Sequence, residues 1–291
     1  FNAVSPRTLV SFARWLTVDS NGLNFSRLPE NITVFASSFA GGASGYPLCF
    51  ETINEADKKK IIARNLRAGR SLVAQNLRHT KSNYFLPYAG FFKEKAQRDS
   101  YIKENNKKNS IISYEQIFDG KVLNIEEYDE FYFCGNELKS VGNLHRDLDN
   151  HQLVEKVYRE VFKNTEVSDV YIDDFFVNSK FEDDLIVFFQ LTNDNFNEVR
   201  KSFYVDFSNK TVFVRFVDFD WEEEKSFEFD SDSVLNPKRK LRIKVRQDSF
   251  NYVIKNNLPF EDLIIGFQCR IDRTPDIYNL KFWDHFTNIY I

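Results

Sequence analysis

Ile32-Thr33-Val34-Phe35-Ala36, followed one residue later by Ser38-Phe39-Ala40-Gly41-Gly42-Ala43-Ser44-Gly45-Tyr46-Pro47, decides how this chain is read. The first five residues are short, β-branched and aromatic, which is the pattern of a buried strand. The glycine-dense run after them removes Cβ atoms, so the backbone can approach another group closely. Loops that follow strands are where α/β proteins place their sites. As a phosphate cradle the run lacks the Gly-Lys-Ser/Thr ending of a P-loop. It also lacks the Gly-x-Gly-x-x-Gly spacing of a dinucleotide loop.

Upstream, one apolar segment from Leu9 to Val18 leads to Asp19. A carboxylate there can reach a metal or substrate at a sheet edge, or it can cap the next turn. Downstream, Glu55–Leu77 carries apolar residues at helical spacing among lysines and arginines, which predicts an amphipathic helix. Tyr84–Phe92 reads as a strand ending in a turn, and the polar stretch Lys93–Asn109 as exposed chain. Helical pattern returns at Ser113–Phe118, Ile125–Phe133 and Asn150–Phe162.

The texture changes near Asn164. Leu185–Leu191, Ser202–Phe207 and Thr211–Phe216 are strand-like, with a hairpin turn at Ser208-Asn209-Lys210. Lys225–Phe229 and Leu241–Val245 extend the strand series. A helix over Asp248–Asn256, capped by Asp248 or Ser249, precedes a final strand at Leu263–Phe267. A run of strands with helices after it is an α+β module. The expected division is 1–165 and 166–291.

The chain has 291 residues and a formal net charge of −4, so it offers no basic surface for a nucleic-acid backbone. Its 31 phenylalanines suit core packing. Cys49, Cys134 and Cys269 are odd in number and far apart, the usage of reduced thiols in a cytoplasmic protein. No apolar run approaches the about 20 residues that span a bilayer, and no signal-peptide pattern opens the chain. The lack of any methionine leads to the expectation that the true N-terminus lies upstream.

None of the four histidines has metal-ligand spacing. His145 and His151 are six apart rather than at i, i+4. His79 suits the dipole at a helix end. His285 is expected to sit among aromatics, paired with Asp284 or Asp276. Arg270, Asp272, Arg273 and Asp276 read as a surface salt-bridge cluster, or as a grip for a phosphate or carboxylate.

Several motifs in order carry a resemblance to a known family. Phe39–Pro47 resembles the glycine loop of CMP-N-acetylneuraminic acid hydroxylase and its bacterial relatives. The likeness continues through Leu86-Pro87-Tyr88-Ala89-Gly90-Phe91-Phe92 and Tyr101–Asn109. It returns in Ile265-Gly266-Phe267-Gln268-Cys269-Arg270, Asp276-Ile277-Tyr278 and Phe282-Trp283-Asp284-His285-Phe286. Val18-Asp19-Ser20 and Arg27-Leu28-Pro29 fit the pattern upstream.

The resemblance implies the C-terminal part of a metallo-β-lactamase-like αββα domain followed by a small α+β module. It implies Asp19 as a ligand to a metal, iron or zinc, with the glycine loop shaping the site through Gly41, Gly42 and Ser44. Arg27, Tyr46 and Tyr88 would line that site, and no catalytic residue is assigned. The substrate class implied is a nucleotide sugar or a related small molecule. Electrons would come from a Rieske iron–sulfur centre in a separate N-terminal domain, or from an electron-donor protein. The fold's His-x-His-x-Asp-His motif and the Rieske Cys/His pairs are not in this sequence, and Ser38 replaces the family's Asp. Two alternatives stand beside hydroxylation. One is a metal-dependent hydrolase of the metallo-β-lactamase superfamily. The other is a non-catalytic binding protein that keeps the fold without its ligands.

Overall fold

Two short strands, β1 (Val10–Phe12) and β2 (Trp15–Thr17), pair antiparallel within the apolar segment that leads towards Asp19. The computed structural model describes residues 10–12, 15–17, 34–40, 45–90, 94, 96–125, 128–134, 137–142, 165–208, 211–226 and 239–288. Contacts divide the chain into two units. The first comprises Phe1–Gly42, Ala56–Lys93 and Asn106–Asp149; the second comprises Ala43–Glu55, Glu94–Asn105 and Asn150–Ile291. No single cut in the sequence therefore separates them.

In the first unit, β3 (Val34–Ser38) is the strand expected before the glycine loop. Helix α1 (Glu55–Thr80) leads to β4 (Tyr84–Ala89), as a parallel pair requires a crossover. With β5 (Lys121–Val122) the sheet runs β1-β2-β3-β4-β5, parallel from β2 onward. Residues along β3 and β4 alternate between faces. Phe35 and Phe85 meet Val73 and Leu77 of α1, together with Ile111 and Tyr114. Tyr114 lies in the short helix α3 (Ile112–Glu115), which follows α2 (Ser100–Asn105) of the second unit.

The opposite face buries Val34, Tyr84 and Leu86 under Leu138 and Phe131 of a hairpin. That hairpin is β6 (Tyr128–Cys134) and β7 (Glu137–Gly142). The helical reading of Ile125–Phe133 is therefore corrected. Phe131 packs inward while Tyr132 is exposed, a period of two rather than 3.6. The second helical stretch, Asn150–Phe162, lies outside the described residues, as do His145 and His151.

The second unit begins its C-terminal part with α4 (Asp169–Val177), capped by Ser168, whose side chain accepts from Tyr171 N. Strands β8 (Leu185–Thr192), β9 (Val199–Asp206) and β10 (Phe213–Phe216) form an antiparallel meander. After helix α5 (Trp221–Ser226), β11 (Arg239–Arg246) pairs parallel with β8. Helices α6 (Gln247–Lys255) and α7 (Glu261–Ile264) precede β12 (Cys269–Thr274), and α8 (Leu280–Asn288) closes the described chain. The sheet order is β10-β9-β8-β11-β12.

Four expectations fail here for local reasons. Lys225 and Ser226 end a helix, because Trp221 is buried and Lys225 pairs with Glu222 one turn back. Leu263–Phe267 is a helical turn rather than the last strand, since Leu263 is buried, Ile265 is exposed and Gly266 turns the chain at φ +75°. The cap position of α6 is Arg246, the last residue of β11, with no side-chain cap. Within Lys93–Asn109, expected to be exposed, Glu94, Asp99 and Ile102 are buried.

Phenylalanine builds the second core. Leu185, Val187, Phe189, Phe203, Val205, Leu241, Ile243 and Val245 alternate onto one sheet face, under Phe176, Phe250, Phe260, Phe282 and Phe286 of the helices and their loops. The Phe176 ring lies within 6.2 Å, centroid to centroid, of Phe189, Phe203, Phe207, Phe260 and Phe286. The other face is apolar on the β8–β9 side, through Ile186, Phe188 and Tyr204 beneath Trp221 and Phe219. On the β11–β12 side the residues out of phase with the core are Lys240, Arg242, Lys244, Arg246, Arg270 and Asp272.

Candidate functional site

The glycine loop leaves β3 at the C-terminal end of parallel strands, where open α/β sheets hold their ligands. Ser38 Oγ donates to Ala40 O at 2.9 Å, closing the first turn. Gly90, just past β4, lies against Ala40; a Cβ at Gly90 would stand 2.8 Å from Ala40 N and Cβ. Its φ of +125° is likewise open only to glycine. Tyr88, on β4 in the first unit, is 37% exposed and so accessible to a ligand. Asp19, Arg27, Gly41, Gly42 and Ser44 lie outside the described residues, as does the side chain of Cys134.

The far end of the loop belongs to the second unit and is tied down by backbone and side chains. Cys49 N donates to Gly45 O at 2.6 Å, and Ile271 N donates to Cys49 O at 2.9 Å, which fixes the loop to β12. Gly45 has no room for a side chain, because its Cβ would fall on Cys49 Sγ and 3.3 Å from the Phe267 ring. Beyond Phe50, Thr52 N and Oγ1 donate to Asp272 Oδ1 at 2.9 and 2.7 Å. Arg242 bridges Asp272 and Glu51, reaching Glu51 Oε2 at 2.7 Å.

The charged side of the sheet is thus largely satisfied within the protein. Arg246 pairs with Asp194 and donates to Gln268 Oε1 at 2.8 Å. Arg270 lies 4.1 Å from the Phe196 ring centroid and donates to Asp99 at 3.2 Å. Burial pushes the Asp99 carboxyl above its usual range, against the pull of Arg98 and Arg270. Lys240 donates to Glu224 O at 2.7 Å near the C-terminal end of α5, where a cation suits the dipole, and burial lowers its pKa.

The Cys269–Ile277 charge cluster therefore splits. Asp272 is buried and Arg270 half-buried, each partnered by another element, and Arg273 is held at 2.6 Å by Asp276, whose own side chain is exposed. His285 does not pair with Asp284 or Asp276. Its Nε2 meets Ser179 O at 2.9 Å, with its ring against Phe181 and Phe286. His79 sits in the last turn of α1, Nδ1 at 2.8 Å from Gln75 O.

Beside the loop is a cavity of about 200 Å³, lined by Tyr46, Phe50, Ile271, Arg273, Tyr278 and Trp283 among others. Cys49 and Cys269 lie buried in its wall, neither in a disulfide. Burial, with Cys49 alongside, pushes the Cys269 thiol above its usual range. Of the described residues expected to line a site, Tyr46 falls in this cavity and Tyr88 does not. Arg273, read from the sequence either as part of a surface salt-bridge cluster or as a grip for a phosphate or carboxylate, lines this cavity; Tyr278 and Trp283 had no functional reading, although the motifs around them had marked that part of the chain.

Among the described residues no group of three or more His, Cys, Asp or Glu is placed to hold a metal ion. No helix among them is long and apolar enough to cross a membrane. No family model and no solved structure matches the chain. Curated relatives do. Cytidine monophosphate-N-acetylneuraminic acid hydroxylase of Mus musculus is 30% identical over 287 residues, covering 93% of this chain and 48% of that protein. The proteins of the same name from Cricetulus griseus and Danio rerio are 30% and 28% identical, over 93% of this chain and 49% and 46% of theirs. Over 93% of its length, then, this chain is similar to proteins named CMP-N-acetylneuraminic acid hydroxylase, and it spans about half the length of the curated relatives it matches.

Proposed function

We propose that the chain is the C-terminal portion of a hydroxylase that inserts oxygen into a nucleotide sugar. The observation that carries this reading is the match along 93% of the chain to proteins named for that reaction. The first unit is proposed as the C-terminal part of a metallo-β-lactamase-like αββα domain. The parallel run β2–β5, with the glycine loop at its strand ends, supports that assignment.

Asp19 is proposed as a ligand to iron or zinc, with the other donors and a Rieske centre supplied from outside this chain. Tyr46, Tyr88 and Arg27 are proposed to contact substrate. The test uses the full-length protein with its metal, a reduced electron donor, dioxygen and CMP-N-acetylneuraminate, so that one oxygen atom enters the product and the other leaves as water. A product heavier by one oxygen atom is expected, and Asp19→Ala is expected to abolish it. Unchanged substrate from the loaded, reduced protein overturns the reading.

A further inference from the structure

We propose that the cavity beside Tyr46 binds the base and phosphate of a pyrimidine nucleotide, with Arg273 as the anion fork and Asn279 and Trp283 as donors to the ring edge. The assignment rests on the nucleotide-sugar reading and deepens it by naming which part of such a ligand this unit takes. All the residues involved belong to the second unit.

The anion end follows from Arg273. Its guanidinium lies 4.9 Å from the Phe50 ring centroid and 5.6 Å from that of Tyr46. Nε is committed to Asp276 Oδ1 at 2.6 Å, which pins the plane of the group. The side chain is only 11% exposed, and neither Nη has an acceptor among the described residues. A planar guanidinium held on two rings with both terminal amino groups unspent matches two oxygens of a phosphate or carboxylate.

The ring end follows from size and from unused donors. An apolar cavity of about 150 Å³ holds a benzene molecule, so the about 200 Å³ here admits a six-membered ring with substituents. Tyr46, Phe50 and Trp283 give it aromatic walls for stacking. Asn279 is 2% exposed. Its Oδ1 accepts from Arg239 at 3.4 Å, while its Nδ2 has no acceptor among the described residues. Trp283 is also a lining residue, and its indole N–H has no acceptor among the described residues. Neither atom is among the fully buried unpaired ones, so both keep solvent contact, which a hydrocarbon ligand would remove without replacing. A pyrimidine supplies ring acceptors, and cytosine adds an amino group for the Glu261 carboxylate on the same lining. A bare sugar phosphate would satisfy Arg273 and leave the aromatic walls without a flat partner.

Titration calorimetry of this chain with cytidine monophosphate, cytidine and ribose 5-phosphate tests the assignment. Cytidine monophosphate is expected to bind, and each of the other two more weakly by about tenfold or more, the share of one charge-assisted hydrogen bond or stacked ring. Arg273→Lys keeps the charge and removes the fork. It should cost about tenfold for cytidine monophosphate and leave cytidine unchanged. Trp283→Phe should weaken cytidine and its monophosphate alike, with melting curves confirming that both variants fold. No binding of cytidine monophosphate, or binding indifferent to both substitutions, overturns the proposal. Turnover by the full-length protein separates the two readings. If it hydroxylates a CMP-sugar with the same KM in Arg273→Lys, the cavity assignment falls and the hydroxylase reading stands. If it hydroxylates no nucleotide sugar while this chain binds cytidine monophosphate through Arg273, the reverse holds.

Discussion

Arg242 and Asp272 stand opposite each other on the β11–β12 ladder and form an ion pair whose carboxylate is 0% exposed. The same carboxylate accepts from Thr52 N and Oγ1, and the same guanidinium reaches Glu51. The pair therefore fastens the segment after the glycine loop to the sheet, and with it the wall that carries Tyr46 and Phe50.

Removing one member of a buried pair leaves the other uncompensated, so Asp272→Ala is expected to cost about 3–5 kcal/mol. Thr52→Ala removes a single hydroxyl bond and should cost about 1 kcal/mol. Glu51 is 39% exposed by side chain, and Glu51→Gln should cost about 1 kcal/mol or less. Urea unfolding of the three variants checks the ranking, and equal losses from Asp272→Ala and Glu51→Gln would contradict it.

Tyr114 gives the first unit an alkaline limit. Its hydroxyl donates to Phe39 O at 2.6 Å, and burial pushes its pKa up to about 12, against Asn109 and Arg70. Below pH about 10 the folded and unfolded chains both keep the proton. Between about 10 and 12 the unfolded chain releases it first, so stability falls as pH rises through that window. Tyr114→Phe should flatten this limb in pH-dependent unfolding. Tyr101, raised to about 12 by burial and by Glu55, is more exposed, and Tyr101→Phe should flatten the limb less.

Gly90→Ala should destabilise by about 1–3 kcal/mol, since a φ of +125° strains any side chain and the new Cβ meets Ala40. Gly142, at the end of β7, has nothing within 4 Å of a built Cβ, and Gly142→Ala is the matched control. Thermal melts that place the two variants together would count against the close approach of the β3 and β4 ends.

What the sequence made legible followed periodicity. The glycine-loop strand, α1 and the Leu241–Val245 strand, where apolar and polar residues alternate, all lie where their patterns put them. Short apolar runs were ambiguous, since Ile125–Phe133 and Leu263–Phe267 carry too few residues to separate a period of 3.6 from one of two. The cavity was hidden for a different reason. Tyr46 and Phe50 are over 220 residues from Arg273, and contacts such as the Thr52–Asp272 and Cys49–Ile271 bonds bring that loop to β12. Charge pattern alone also placed Asp272 at the surface, because its partner Arg242 is 30 residues away on the neighbouring strand.

The most direct test of the account is mass analysis of CMP-N-acetylneuraminate after incubation with the full-length, metal-loaded protein, a reduced electron donor and dioxygen. The account predicts a nucleotide sugar heavier by one oxygen atom, and its loss in Asp19→Ala. Recovery of the sugar unchanged, or cleaved without oxygen insertion, would contradict it.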